Sequence, residues 1–183
     1  NLASLNLNGN GYKIAPYAFA NTGIKSLSLN NNIDYIGAYA FSNCANLLGH
    51  ITLPQSLKSV EEGVFKECAL FDGISLGDSV TKIGTEAFSG CINLVDINLP
   101  ESLKQISPNV FYGCKNIAEL DIPFGLVGFN GAFNNCNIKK LRTHWQIPIL
   151  VDATTFDGFD EDKCILTVPA NSVTVITING YFI

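Results

Sequence analysis

Six cysteines and two histidines are the side chains of this 183-residue chain best suited to nucleophilic, redox or metal chemistry. Cys44, Cys68, Cys91, Cys114 and Cys136 each stand three residues after a phenylalanine, and the equivalent positions elsewhere hold Thr22 and Phe159. Equivalent residues on neighbouring strands about 4.8 Å apart approach closely enough for a disulfide. Exchange for Thr and Phe instead fits small reduced thiols filling a core, the usual setting of an unpaired cysteine. No C-x-x-C spacing supports metal or redox work, and Cys164 lies out of register. His50 and His144 fall four structural units apart, about 20 Å at strand spacing, too far to share a zinc ion. No nucleophile elbow or phosphate-binding glycine loop is present, so the sequence reads as non-enzymatic, without cofactor or metal.

A third group of side chains could bind rather than react. Asp96, Asn98, Glu119, Asp121, Lys140 and Arg142 alternate along short apolar-x-apolar segments, followed by His144 and Trp145. Alternation in a strand sends all eight to one outward face and its rim. Two uses compete for such a face. Acids and bases on adjacent strands can simply neutralise one another, contributing at most about 1 kcal/mol per exposed pair. They can also form a ligand patch, in which Arg and Trp are the favoured anchors.

The elements that position these residues are repeats. Phe19, Phe41, Phe65, Phe88, Phe111, Phe133 and Phe156 are spaced by 22, 24, 23, 23, 22 and 23 residues. The same period recurs in Leu5/Leu7, Leu27/Leu29, Ile51/Leu53, Ile74/Leu76, Ile97/Leu99, Leu120/Ile122, Leu141/Thr143 and Leu166/Val168. Further apolar rows precede the strand by three (Leu2, Ile24, Leu48, Phe71, Leu94, Ile117, Ile138) and follow it by seven (Ile14, Ile36, Val60, Ile83, Ile106, Phe129, Leu150). One unit cannot enclose a core alone, so stacking must bury the rows as a column. Ser56, Ser79 and Ser102 occupy a turn position where hydroxyls bond backbone, and Pro54, Pro100 and Pro123 end the strands. The expectation is one array over 1–183, with about seven repeats over 1–163 and a closing segment over 164–183.

The unit C-x-x-L-x-x-I-x-L-P-x-S-L-x-x-I-x-x-x-A-F resembles the BspA-like (Treponema pallidum-type) leucine-rich repeat family of bacterial cell-surface proteins. The ending C-I-L-T-V-P-A-N-S-V resembles the segment that closes such arrays. The resemblance implies a leucine-rich repeat solenoid, an α/β right-handed superhelix that is mostly β and irregular. It has about eight short parallel strands on the concave side and irregular or short helical turns on the convex side. It further implies an extracellular or cell-surface location. The function it implies is protein binding or adhesion, with a host matrix, host surface or bacterial surface protein engaged on the concave face; a spacer holding another domain outward is the alternative.

Composition narrows the partners. With 15% charged residues and a formal charge of -5, no basic surface exists for nucleic acid. No apolar run approaches the roughly 18 residues of a membrane span. The opening at Asn1 without methionine reads as a piece of something longer, whose first sheet edge could pair with upstream repeats or another copy.

Overall fold

A computed structural model describes residues 2–7, 11–126, 128–129, 131–144, 164–169, 177–178 and 181–182. The strands, in chain order, are β1 (Ser4–Leu7), β2 (Lys13–Ile14), β3 (Ser26–Leu29), β4 (Tyr35–Ile36), β5 (His50–Thr52), β6 (Ser59–Val60), β7 (Gly73–Ser75) and β8 (Lys82–Ile83). They continue as β9 (Asp96–Asn98), β10 (Gln105–Ile106), β11 (Glu119–Ile122), β12 (Lys140–Thr143), β13 (Ile165–Thr167), β14 (Thr177–Ile178) and β15 (Tyr181–Phe182).

These strands wind into a solenoid. The apolar-x-apolar segments form the main row, β1, β3, β5, β7, β9, β11, β12 and β13, eight strands as the periodicity requires. Neighbours pair in parallel one repeat apart, as in Leu5 with Leu27, Ile51 with Ile74 and Leu120 with Leu141. The row is not one sheet. It divides into β1-β3, β5-β7-β9 and β11-β12-β13, so ladder pairing is interrupted between β3 and β5, where one bond from Leu48 to Lys25 remains, and between β9 and β11. A second row, β2-β4 and β6-β8-β10, consists of two-residue parallel strands in which Ile14, Ile36, Val60, Ile83 and Ile106 point inward. The sequence reading placed those residues in a buried row and did not predict strands there.

Opposite the main row the turns are irregular, one of the two forms expected there; no helix occurs among the described residues. Each repeat phenylalanine from Phe19 to Phe133 sits at the centre of a turn whose flanking residues, two before and two after, have positive φ. The pairs are Tyr17 and Asn21, Tyr39 and Asn43, Gly63 and Glu67, Glu86 and Gly90, Asn109 and Gly113, and Gly131 and Asn135. This alternation directs every second N–H group toward the next coil, while the N–H groups between, such as those of Ala18 and Ala20, bond back to Ala15 and Tyr17 of their own turn. Phe19, Phe41, Phe65, Phe88 and Phe111 donate to Ala40, Val64, Ala87, Val110 and Ala132 at 2.8–2.9 Å. A helix would have turned those groups along its own axis. The turns therefore satisfy their backbone partly between coils, as a sheet does, and partly within themselves.

Stacking buries the column the spacing demanded. Phe41, Phe65, Phe88 and Phe111 have no exposed surface. The rings from Phe19 to Phe133 lie face to face with centroids 5.2–5.9 Å apart and planes within 9°. Such pairs add about 0.5–1.5 kcal/mol each beyond burial. Tyr17 stacks on Tyr39 at 5.1 Å on the surface of the same turns. The next position is Gly63, where a Cβ would lie 2.2 Å from the Tyr39 ring.

Two members of the row before the strand are not buried: Leu2, on the first coil, is 44% exposed, and in the third repeat the buried residue is Leu47, fully enclosed, and not Leu48, which is 53% exposed. That repeat is one residue longer, and the chain absorbs the extra residue beside Gly49, whose φ is +77°. Ser56 Oγ and Ser102 Oγ donate to Ile33 and Val80 carbonyls of the preceding coil at 2.5 and 2.6 Å. The turn hydroxyls thus bond backbone as expected, but between coils.

The cysteine column is buried and unbridged among the described residues. Each thiol also has a specific partner. Cys44, Cys68, Cys91, Cys114 and Cys136 donate through Sγ to the carbonyl of the phenylalanine one coil back, at 3.0–3.2 Å. Thr22 reaches the Phe19 carbonyl of its own coil at 2.7 Å. Burial pushes the Cys91 and Cys114 thiols up, and Cys136 to about 12, so these groups stay protonated and inert.

Candidate functional site

The main-row face carries the outward side chains. Paired register sets His50, Gly73 and Asp96 in one line across β5, β7 and β9, and Thr52, Ser75 and Asn98 in the next. Across β11 and β12 it sets Glu119 opposite Lys140 and Asp121 opposite Arg142.

The second group forms an ion-pair network. Lys140 Nζ donates to Glu119 Oε1 at 2.6 Å, Arg142 Nη2 to Glu119 Oε2 at 3.0 Å, and Arg142 Nη1 to Asp121 Oδ2 at 3.1 Å. His144 Nε2 stands 4.0 Å from Asp121 Oδ1. One arginine therefore bridges two carboxylates, and Glu119 bridges two cations. The Lys140 ammonium, hydrogen-bonded to Glu119, holds that carboxyl below the usual carboxylate range. All the partners are about half exposed, so solvent screens the attraction.

Asp96 and Asn98 lie apart from this network. Between β9 and β11 the sheet opens into a cleft of about 340 Å³ lined by Asp96, Ile97, Asn98, Glu119, Leu120 and Asp121. Ile97 is only partly buried, like Leu5 and Leu27 in the first two coils, whereas the equivalent Ile51, Ile74, Leu120 and Leu141 are 3% exposed or less. The structure thus joins Glu119, Asp121, Lys140, Arg142 and His144, and separates them from Asp96 and Asn98 by an open seam. Trp145 lies outside the described residues, as do Phe156 and Leu150.

Sequence reasoning missed His50. Because Gly73 has no side chain, the imidazole lies over it; a Cβ there would be 2.2 Å from Nδ1. Nε2 is 2.7 Å from Ser75 Oγ, and Nδ1 is 3.9 Å from Asp96 Oδ2. The order Asp96–His50–Ser75 has the connectivity of a hydrolytic triad, but 3.9 Å exceeds hydrogen-bond length. The β7 backbone is engaged in the parallel ladder with β5 and β9, which leaves no preorganised N–H pair beside Ser75 for an oxyanion. The constellation orders a polar strip across three strands. The sequence signal for it was the glycine between a histidine and an aspartate in one outward line.

Among the described residues no group of three or more His, Cys, Asp or Glu could hold a metal ion. Nor is there among them any helix long and apolar enough to cross a membrane.

The stacked coils, the parallel main row and the buried repeat positions define a leucine-rich-repeat solenoid, a scaffold that is generally non-catalytic and generally mediates protein–protein contact. The chain belongs to the BspA type leucine rich repeat family, whose model matches six copies over residues 1–49 and 47–152. It is similar to the T. pallidum leucine rich repeat protein, with 29% identity, a TM-score of 0.64, and coverage of 74% of this chain and 66% of that one. A leucine rich cell surface protein from Faecalibacterium prausnitzii shares the fold at 19% identity and a TM-score of 0.62, over 89% of this chain and 54% of that one. A leucine-rich repeat protein from Bacteroides ovatus does so at 20% identity and a TM-score of 0.56, over 84% and 45%. The chain thus spans from just under half to about two thirds of these relatives' lengths. No curated protein matches it.

Proposed function

We propose that this array, 1–183 with 164–183 as its closing segment, is a non-catalytic protein-binding or adhesion module of a bacterial cell-surface or secreted protein. Its partner, a host matrix, host surface or bacterial surface protein, engages the main-row face. The observation that carries this reading is the change in that face along the array. The first coils present small neutral groups such as Ser4, Asn6, Ser26 and Ser28, whereas β11 and β12 present four charges held in fixed geometry beside a cleft. Preformed charge with an apolar floor favours a specific partner over general solvation. The surface location follows the family and the F. prausnitzii relative, described as a cell surface protein.

A spacer without its own ligand is the second reading, and the mutual neutralisation of Glu119, Asp121, Lys140 and Arg142 favours it. Capture from host-matrix and surface-protein preparations separates the two, using wild type and Asp121→Lys. A binder loses its partner on charge reversal; equal recovery by both removes the charged patch from consideration.

A further inference from the structure

The seam between β9 and β11 has an unusual complement of groups. At the paired junctions of the main row, and also between β3 and β5, where Leu48 donates to Lys25 at 3.0 Å, a residue just before the strand donates its N–H to the preceding coil. Lys25 donates to Ala3 at 2.8 Å, Asp72 to Gly49 at 3.3 Å, Val95 to Asp72 at 2.9 Å and Lys139 to Ala118 at 2.8 Å. The corresponding bond from Ala118 to Val95 is not made, and both residues line the cleft. The Ala118 N–H and the Val95 carbonyl are therefore a backbone donor and acceptor without the ladder partner their equivalents have. Such groups are normally paired. Below them lie Ile97, Leu99 and Leu120, an apolar floor.

The charge at the lip is unbalanced. Lys140 and Arg142 lie beyond β11 and are occupied by Glu119 and Asp121. On the β9 side Asp96 is 75% exposed, and its ion-pair contact is His50 at 3.9 Å. Asn98 stands beside it on the same strand. The negative charge with spare acceptor capacity is thus on the cleft's β9 lip.

We infer that this seam receives an extended peptide segment of a protein partner that carries an arginine or lysine. Phe111 and Phe133 stack at 5.2 Å and hold the two coils together, so the segment lies across the mouth of the seam and its basic side chain runs over Ile97 to Asp96. The apolar floor receives the stem of that side chain, and the carboxylate at the lip selects its charge. An arginine suits both parts, since its stem packs on apolar surface while its fork meets a carboxylate. At about 340 Å³ the cleft is at the small end of ligand sites, the size for a side chain and a short main-chain run.

This inference rests on the main-row face being the binding face, and its test is separate. The ¹⁵N-labelled chain is titrated with the peptide acetyl-Ser-Val-Arg-Val-Ser-amide and with its counterpart carrying Glu for Arg. The Arg peptide shifts amides within 95–99 and 118–121, and the Glu peptide does not. Asp96→Asn weakens the Arg peptide by about tenfold, the loss of one charge-assisted hydrogen bond. Asn98→Lys, on the same exposed lip, abolishes binding, and thermal melting confirms that both variants are folded. Absent shifts, equal shifts from the Glu peptide, or unchanged affinity in Asp96→Asn overturn the inference. So do the same shifts produced by calcium chloride alone, which would assign the lip to a cation. A partner lost by Asp121→Lys but retained in full by Asp96→Asn overturns the seam while leaving the binding face standing.

Discussion

Replacement of Glu67 tests the account of the turns most directly. Glu67 has a φ of +60° at a position where the other coils place Asn21, Asn43, Gly90, Gly113 and Asn135. An L-residue with a Cβ pays roughly 1–2 kcal/mol in the left-handed region, and glycine does not. Glu67→Gly keeps the N–H that donates to Ser89 at 2.7 Å, so the bond between coils survives. The glycine gives back roughly 0.4–1 kcal/mol through the greater freedom of its unfolded chain. The net expectation is a gain of about 0.5–1 kcal/mol, roughly 1–4 °C in melting temperature for a chain of this size. The neighbour supplies a second arm. Gly90 has a φ of +76°, and a Cβ on it would lie 2.6 Å from the Glu67 carboxylate. Gly90→Ala should therefore destabilise by about 1–2 kcal/mol from backbone strain, plus the cost of displacing Glu67. In the Glu67→Gly background only the strain remains. Urea unfolding followed by circular dichroism measures the four corners of this cycle. A coupling of about 0.5 kcal/mol or more is expected, as for residues in contact. A lower midpoint in Glu67→Gly, or additivity of the two changes, refutes the reasoning.

Other consequences follow from the same geometry. Cys91→Thr should retain most stability, because Thr22 already bonds a phenylalanine carbonyl at 2.7 Å, whereas Cys91→Ala should cost about 1–2 kcal/mol for the lost donor and the space left behind; equal midpoints for Ala and wild type would sink the role given to the thiol. Thr143 is 4% exposed, and its Oγ1 has no partner among the described residues. Thr143→Val should then raise stability by about 1 kcal/mol in the same assay, with no gain as the contrary result. Tyr39 Oη donates to Glu62 Oε1 at 2.6 Å, which with burial raises its pKa from 10.0 to about 12. A raised pKa contributes stability that is complete below pH 10 and disappears as pH rises through about 12. Ultraviolet titration should show one late-ionising tyrosine that moves toward 10 in Glu62→Gln; an unmoved titration would dissociate the shift from this bond.

Periodicity alone determined the architecture. Two apolar residues per strand, a phenylalanine every 22–24 residues and a cysteine three further on cannot all be buried unless the units stack in register. Strand alternation then settled which residues face outward, and so placed Glu119 opposite Lys140 and Asp121 opposite Arg142. The turns were not legible in the same way. Tyr, Glu, Asn and Gly at their left-handed positions share no apolar pattern, and the bonds that define them run to the next coil. The third repeat slipped for a related reason. Leu47 and Leu48 are chemically alike, and only packing around an inserted residue decides which is buried. The seam leaves no mark on the sequence, since Ile97 and Leu120 keep the ordinary spacing of 23 residues. Whether two adjacent strands hydrogen-bond depends on how the coils above and below set their separation, a property of the whole stack. His50 meets Asp96 for the same reason, because only the assembled register lays an imidazole across Gly73. Short-range pattern therefore specified the column and its faces, while contacts between residues a full coil apart decided where the face is closed and where it is open.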